Sequence, residues 1–337
     1  MVSCNKDFVV AENHGSKIEF RTAVDTRATE LTLSDVNEFY VAAFYESGEQ
    51  YFAEVFERSG SFFVPKSGTD YYWPSDDDLY FYAYYPCTEA FSAGVMVDEE
   101  NKSIPDYTPA ANIGEQLDFI SAVKVTNKAE SANGVVLEFK HQLSQIEVKA
   151  KNANGGYNVK VKAVRIKNVV DSGDFTFDGA MTNWRVNDTL TSYEAVCDAT
   201  NGSVALTGSA ATLMGANGNA MLIPQSRSAW GVEAEAANGV YIALQIQAET
   251  KTGSRVFPLE GDWGWVAVPV EINWASGYKY TYVCDFTNGL GVIAPDQDEE
   301  GDDDDNPYNP GDGVVGGAIA VDTYYDSFNG NWDDLDM

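Results

Sequence analysis

Along this chain, short apolar runs are broken about every ten residues by Gly, Asn, Asp or Ser, and within the runs apolar and polar positions alternate. Residues 135–151 show it most clearly. Val135, Leu137 and Phe139 share one face of an extended segment, and so do Ile146, Val148 and Ala150, but with opposite parity. Because a one-residue slip exchanges the two faces, a bulge or bend is expected at Leu143-Ser144-Gln145. Asn152-Ala-Asn-Gly-Gly156 then makes a turn, and Tyr157, Val159, Val161 and Ala163 resume the alternation. Upstream, Lys17-Ile-Glu-Phe-Arg-Thr-Ala-Val24 reads as a first strand, and residues 38–65 read as strands joined by Ser-Gly turns at 47–48 and 59–60. Downstream, residues 241–250, 255–259 and 268–286 repeat the style.

No stretch sustains a 3.6-residue apolar period or approaches the roughly 18 apolar residues of a membrane-spanning helix. Short strands with frequent turns predict an all-β protein of antiparallel sandwiches. At 337 residues the chain is long for one domain. Dividing it at the Asn-Gly cluster gives an N-terminal segment (1–16), an N-terminal β-sandwich (17–152) and a C-terminal β-sandwich (153–294). An acidic linker (295–313) and a C-terminal tail (314–337) follow.

Charge sharpens that division. The net charge is −31, and residues 295–337 hold 14 Asp and Glu with no Lys or Arg, leaving 38 acids against 21 bases elsewhere. A surface of this sign repels phosphate backbones, so no nucleic-acid partner is expected. The run 295–313 cannot bury a core, and its nineteen residues reach about 60 Å when extended. Beyond it, Ile319, Val321, Thr323 and Tyr325 fall on one face of a strand-competent segment.

Catalytic or metal chemistry finds little support. His14 and His141 are the only histidines, and no GxSxG elbow accompanies either. The cysteines Cys4, Cys87, Cys197 and Cys284 lack CxxC spacing, and the last three are expected as small buried hydrophobes. Asp76-Asp77-Asp78 reads as a solvated turn. Asp296 to Gly301 begins like a calcium loop, but Pro307 stands where a bidentate Glu belongs. No enzyme, metal or cofactor is expected. Eight aromatics between Asp70 and Pro86 could form a sugar-stacking platform, although alternation buries half of them in a core. Lys140, Lys149, Lys151, Lys160, Lys162, Arg165 and Lys167 read as the solvated face of adjoining strands. A docking patch for an acidic partner is the sharper alternative, the chain's own tail being the nearest one.

Several segments then match a known pattern in order over residues 17–290. They are Asp25-Thr-Arg-Ala-Thr29, Tyr72-Trp-Pro, Leu79-Tyr-Phe-Tyr-Ala-Tyr-Tyr-Pro86, Gln116-Leu-Asp-Phe119, Leu137-Glu-Phe-Lys-His-Gln-Leu-Ser144, Leu222-Ile-Pro-Gln225 and Trp274-Ala-Ser-Gly-Tyr-Lys-Tyr-Thr-Tyr282. The set resembles the fimbrillin-like proteins, or type V pilins, of Bacteroidales bacteria. The resemblance implies two tandem transthyretin-like antiparallel β-sandwiches, export behind a signal peptide, and a palmitoylated lipoprotein on the outer membrane or in a fimbrium. Val2-Ser3-Cys4 looks like the end of a lipobox, which makes Cys4 the lipidation site.

Family members that polymerise do so when a protease cuts after an N-terminal Arg, a first strand leaves, and a neighbour's C-terminal segment fills the groove. Carried onto this chain, that implies cleavage at Arg27-Ala28, or second at Arg21-Thr22, and a donor strand bearing Ile319, Val321, Thr323 and Tyr325. Partners would be other fimbrial subunits and a host or bacterial surface ligand in adhesion. Asp188-Thr189-Leu190 matches the short O-glycosylation acceptor of these bacteria at Thr189. The rival reading is a glycan-binding surface lipoprotein that does not polymerise.

Overall fold

The computed structural model describes residues 16–23, 36–74, 77–177, 183–198, 200–231, 238–294 and 318–327. They are almost entirely β. The helical elements among them are single turns, such as Glu89–Ser92, Ile113–Glu115 and Phe286–Asn288. Arg27, Ala28, Cys4 and the loop from Asp296 to Pro307 lie outside the described residues.

The first half is one eight-stranded sheet wrapped around its own core. Its order is Lys140–His141, Ile120–Thr126, Leu79–Tyr85, Glu38–Tyr45, Gln50–Ser59, Phe62–Pro65, Phe20–Ala23 and Val135–Glu138. The two outermost strands are consecutive in sequence, joined by Phe139, so the sheet curls almost closed. Inside lie Ile18, Phe20, Phe39, Phe56, Phe63, Trp73, Phe81, Val135, Leu137 and Phe139, all buried.

In the second half two sheets face each other. One contains Ala211–Thr212, Ser144–Lys151, Tyr278–Asp285 and Ala320–Ser327, with Ala220–Leu222 also on Ser144–Lys151. The other runs Leu190–Val196, Tyr157–Val170, Tyr241–Thr250, Gly264–Pro269 and Val292–Ile293. Ile146, Val148, Val161, Ile166, Leu244, Ile246, Val266, Tyr282 and Cys284 pack between them.

Among the described residues two strand pairs are parallel, against the antiparallel expectation: Phe20–Ala23 beside Val135–Glu138, and Ser144–Lys151 beside Tyr278–Asp285. Each pair joins segments more than a hundred residues apart, so no tight hairpin imposes an antiparallel return.

The parity reversal at 143–145 has a different cause from a bulge. The odd-numbered face stays inward through His141, and between His141 and Ser144 the chain leaves the first sheet and enters the second. Leu143 is buried in a third cluster at the crossing, with Tyr84, Phe119, Phe175, Phe177, Met221 and Ile223. The Asn-Gly turn at 152–156 therefore links two strands of the second half, Ser144–Lys151 and Tyr157–Val170. A small sheet shared by both halves covers the crossing, with Lys102–Tyr107 and Met96–Val97 from the first and Gly173–Thr176 and Trp184–Val186 from the second. The Trp184 indole N–H donates to the Gln142 carbonyl at 2.7 Å.

Candidate functional site

Two strands, one near each end of the chain, hold most of the expected exchange residues that the structure describes. The first is Phe20–Ala23, held between Phe62–Pro65 on one side and Val135–Glu138 on the other. Its contact with the first neighbour is brief, centred on Phe20 opposite Phe63, whereas it runs beside the second over its whole length. Residues just before it add ties. The Ile18 N–H donates to the Tyr71 carbonyl (2.8 Å), the Val135 N–H to the Glu19 carbonyl (2.8 Å), and Lys17 pairs with Asp70 (2.6 Å). Ile18 and Phe20 point inward and are completely buried. The Phe20 ring lies 4.7 Å from Phe56 and 5.3 Å from Phe81, both edge-on. Such burial contributes about 1.5–3 kcal/mol for each side chain. Without this segment the first core would be left with a groove lined by unpaired backbone groups and aromatic rings.

Arg21 projects outward from this strand, its guanidinium over the Phe62 ring at 4.5 Å. Its backbone is in register with Val136, so a protease that needs an extended free segment reaches this bond only after the sheet opens. Whichever of Arg21 and Arg27 were cut, Ile18 and Phe20 would lie on the N-terminal fragment.

The second strand is Ala320–Ser327. It pairs antiparallel with Tyr278–Asp285 over all eight residues and forms the edge of its sheet. Its hold on the core is slight. Ile319 is buried, Val321 is half-buried against the C-terminal core, and Asp322, Thr323, Tyr324, Tyr325 and Asp326 are exposed. Ile319 rests on Gly291, whose φ of +91° suits glycine and where an added Cβ would stand 2.7 Å from the Ile319 Cδ1. Of the expected donor residues, then, Ile319 and Val321 face the core, while Thr323 and Tyr325 lie beyond it on the same side of the strand.

On the opposite side of this sheet, charges tie the strands together. Glu147, 8% exposed, lies between Lys149 (3.2 Å) and Lys279 (3.0 Å). Burial pushes its carboxyl up, but hydrogen bonding and attraction from Lys279 and Lys149 outweigh that and hold it below the usual glutamate range. Lys151 pairs with Asp285 at 3.2 Å and with Asp322 of the C-terminal strand at 3.8 Å. One lysine of the basic set thus meets an acid of the chain's own tail. Arg165 instead pairs with Glu194 at 2.6 Å and covers Trp265.

The remaining sequence candidates fall elsewhere. His141 is buried, its Nδ1 2.7 Å from the Asp118 Oδ2. Thr189 is exposed in the connection between Trp184–Val186 and Leu190–Val196. Cys197 and Cys284 are buried free thiols, pushed by burial up to about 12, while the half-buried Cys87 is pushed up to about 11. From the aromatic stretch Trp73, Phe81 and Tyr84 are buried, and Tyr72 is the exposed ring. Among the described residues no group of three or more His, Cys, Asp or Glu is placed to hold a metal ion.

Phe20 falls within the first strand expected from the sequence without standing out there, and Gly291 is not among the sequence candidates. The signal for Phe20 was the Ile18-x-Phe20 alternation just ahead of the Asp25-Thr-Arg motif. Gly291 gave none, since its partner lies beyond the acidic run.

A fimbrillin-like family profile matches residues 26–298. Among solved structures, a fimbrial protein from Bacteroides vulgatus aligns with a TM-score of 0.59 and 13% identity, covering 93% of this chain and 99% of its own. Cell adhesion candidates from Bacteroides eggerthii (TM-score 0.54, 13% identity) and Parabacteroides distasonis (0.53, 10%) each cover 93% of this chain and 96% of their own. At these identities the likeness speaks for the fold. No curated protein sequence matches the chain. Because the profile covers most of the chain and agrees with the all-β fold that these structures share, the chain belongs to the fimbrillin-like family.

Proposed function

We propose that this protein is a non-enzymatic fimbrial subunit or fimbria-associated lipoprotein, anchored through Cys4 and assembled by protease-triggered strand exchange for a role in adhesion. The observation that carries this reading is the N-terminal strand. It is short, sits between two neighbours, places Ile18 and Phe20 deep in a core, and leads toward Arg27. Cleavage at Arg27-Ala28 would separate it covalently from the body it completes, and a neighbour's strand could then restore the lost pairing and refill the core. The C-terminal strand suits the donor role, since eight residues are already extended and little of their surface is buried. Before donation it would have to leave its own edge beside Tyr278–Asp285. In this picture the acidic linker (295–313) spans the gap between subunits, Thr189 carries a glycan, and the assembled fimbrium stands on the outer membrane. Its partners are other fimbrial subunits and, at the surface, a host or bacterial ligand.

A reversible lock tests the reading. In a Arg21→Cys/Val136→Cys variant the two cysteines occupy register partners on neighbouring strands. Oxidised, the variant should be cut after Arg27 yet remain monomeric, because the strand stays fastened. Added reductant should start assembly. Assembly that proceeds equally in the oxidised state would refute exchange at this slot.

A further inference from the structure

The strands Ile272–Asn273, Tyr278–Asp285 and Ala320–Ser327 enclose an open mouth at the end of the second sandwich, a cavity of about 520 Å³. Its size falls within the range of about 300–1,000 Å³ usual for small-molecule sites. Tyr278, Tyr280 and Tyr282 alternate along one strand and therefore share a face, which the docked C-terminal strand extends with Thr323 and Tyr325. Tyr278 and Tyr280 have ring centroids 6.4 Å apart, and Tyr280 and Tyr325 6.2 Å apart, so three rings form a row. Tyr280 is 8% exposed and Tyr325 52% exposed, and both line the cavity.

Polar groups ring the apolar surface. Glu271 and Thr323 are exposed at the rim. The Asn273 Oδ1 accepts from the Ser226 hydroxyl at 2.5 Å, which fixes the amide and directs its NH₂ toward other acceptors. The Tyr280 hydroxyl accepts from the Ala275 N–H at 2.9 Å and keeps its own proton to donate. Below, the Trp274 indole N–H binds the Tyr282 hydroxyl at 2.8 Å and stiffens the floor.

Ring faces with a carboxylate, an amide and hydroxyls at their edges match a molecule with apolar C–H faces and equatorial hydroxyls. The Glu271 carboxylate and the net charge of −31 disfavour an anion. We propose that this mouth is a binding site for a neutral carbohydrate, whose pyranose face stacks on Tyr325 and Tyr278 while its hydroxyls engage Glu271, Asn273 and Thr323. The site needs the docked C-terminal strand, so it exists only while that strand stays on its own edge, and it can be tested without any strand exchange taking place. It also has a consequence for that strand. Because Thr323 and Tyr325 belong to it, bound sugar favours the docked state by the sugar's differential affinity for that state.

The test is saturation-transfer NMR on the full chain with the methyl pyranosides of glucose, galactose and mannose and with N-acetylglucosamine. At least one sugar should receive saturation at its ring C–H protons. Tyr325→Ala should weaken its binding about tenfold or more. Glu271→Gln, which lies off the C-terminal strand and preserves shape, should weaken it as well. Hydrogen exchange of residues 320–327 should be as slow in the unliganded variants as in the parent, which separates loss of contact from loss of docking. In the parent, that exchange should slow further when the sugar is added. If none of the four sugars receives saturation, or if binding survives undiminished in Tyr325→Ala and Glu271→Gln, the site is refuted. Binding with no change in exchange at 320–327 would refute the coupling to the strand.

Discussion

Phe20 is where the N-terminal strand holds to its body, and Gly291 is where the C-terminal strand holds to its own. Phe20 contacts Phe56, Phe81 and Phe39 with centroids 4.7, 5.3 and 6.3 Å away, in a core with no solvent access. Phe20→Ala should therefore cost about 3–5 kcal/mol in a urea titration of the uncut protein. Arg21→Ala, one residue along but exposed, should cost about 1 kcal/mol or less. Equal effects at the two positions would mean that the strand is not inserted as described. Gly291 works through a different constraint. Its φ of +91° and the 2.7 Å approach of Ile319 to any added Cβ make Gly291→Ala both strained and obstructive. The loss should fall first on docking of the C-terminal strand, so hydrogen exchange at 320–327 should accelerate at least tenfold while the core strand Tyr241–Thr250 keeps its protection. Acceleration across both would show that Gly291 supports the whole sandwich.

Among the elements, the parallel pair Ser144–Lys151 and Tyr278–Asp285 carries the C-terminal strand on the free edge of Tyr278–Asp285, and Glu147 and Lys279 bridge the pair. The Glu147 carboxyl is held below its ordinary value of 4.5, so its contribution is fully present above that pH and is lost as pH falls through it toward the folded value. Thermal melts at falling pH should show this loss, and Glu147→Gln should flatten the acid limb. An unchanged limb would assign the acid sensitivity to other carboxylates. The strands themselves were legible wherever one face met a core and the other met water, as along Val135, Leu137 and Phe139. They were less legible where both faces are covered. In Leu79–Tyr85, Phe81 and Ala83 fill the first core while Tyr82 and Tyr84 pack into the crossing cluster, so aromatics occur at both parities. The reversal near Leu143 was visible as a break, but a break in alternation looks the same whether a strand bulges or changes sheets. Tyr157–Val170 does contain register shifts, at Val161/Ala163 and Lys167/Val169, the latter beside Asn168 with φ of +61°. The C-terminal strand was legible from Ile319, Val321, Thr323 and Tyr325. Its partner was not, because pairing with a remote edge depends on which edge the rest of the fold leaves open.

For the whole molecule, the N-terminal and C-terminal strands lie in different halves, one completing the first core and the other capping the edge of the second sandwich. Under the proposed strand exchange, the first would be the strand removed and the second the strand donated, which suits head-to-tail growth. Such heterologous contacts extend rather than close. The charge of −31 opposes random association, so growth should depend on the specific strand contact and not on general stickiness. The most direct measurement is limited tryptic digestion of the full chain, with the cut located by mass spectrometry and the products followed by native gel. Strand exchange predicts selective cutting after Arg27, or failing that Arg21, followed by a ladder of oligomers that disappears when residues 314–337 are deleted. A chain cut at that place that stays monomeric, or a ladder that persists without the tail, would contradict it.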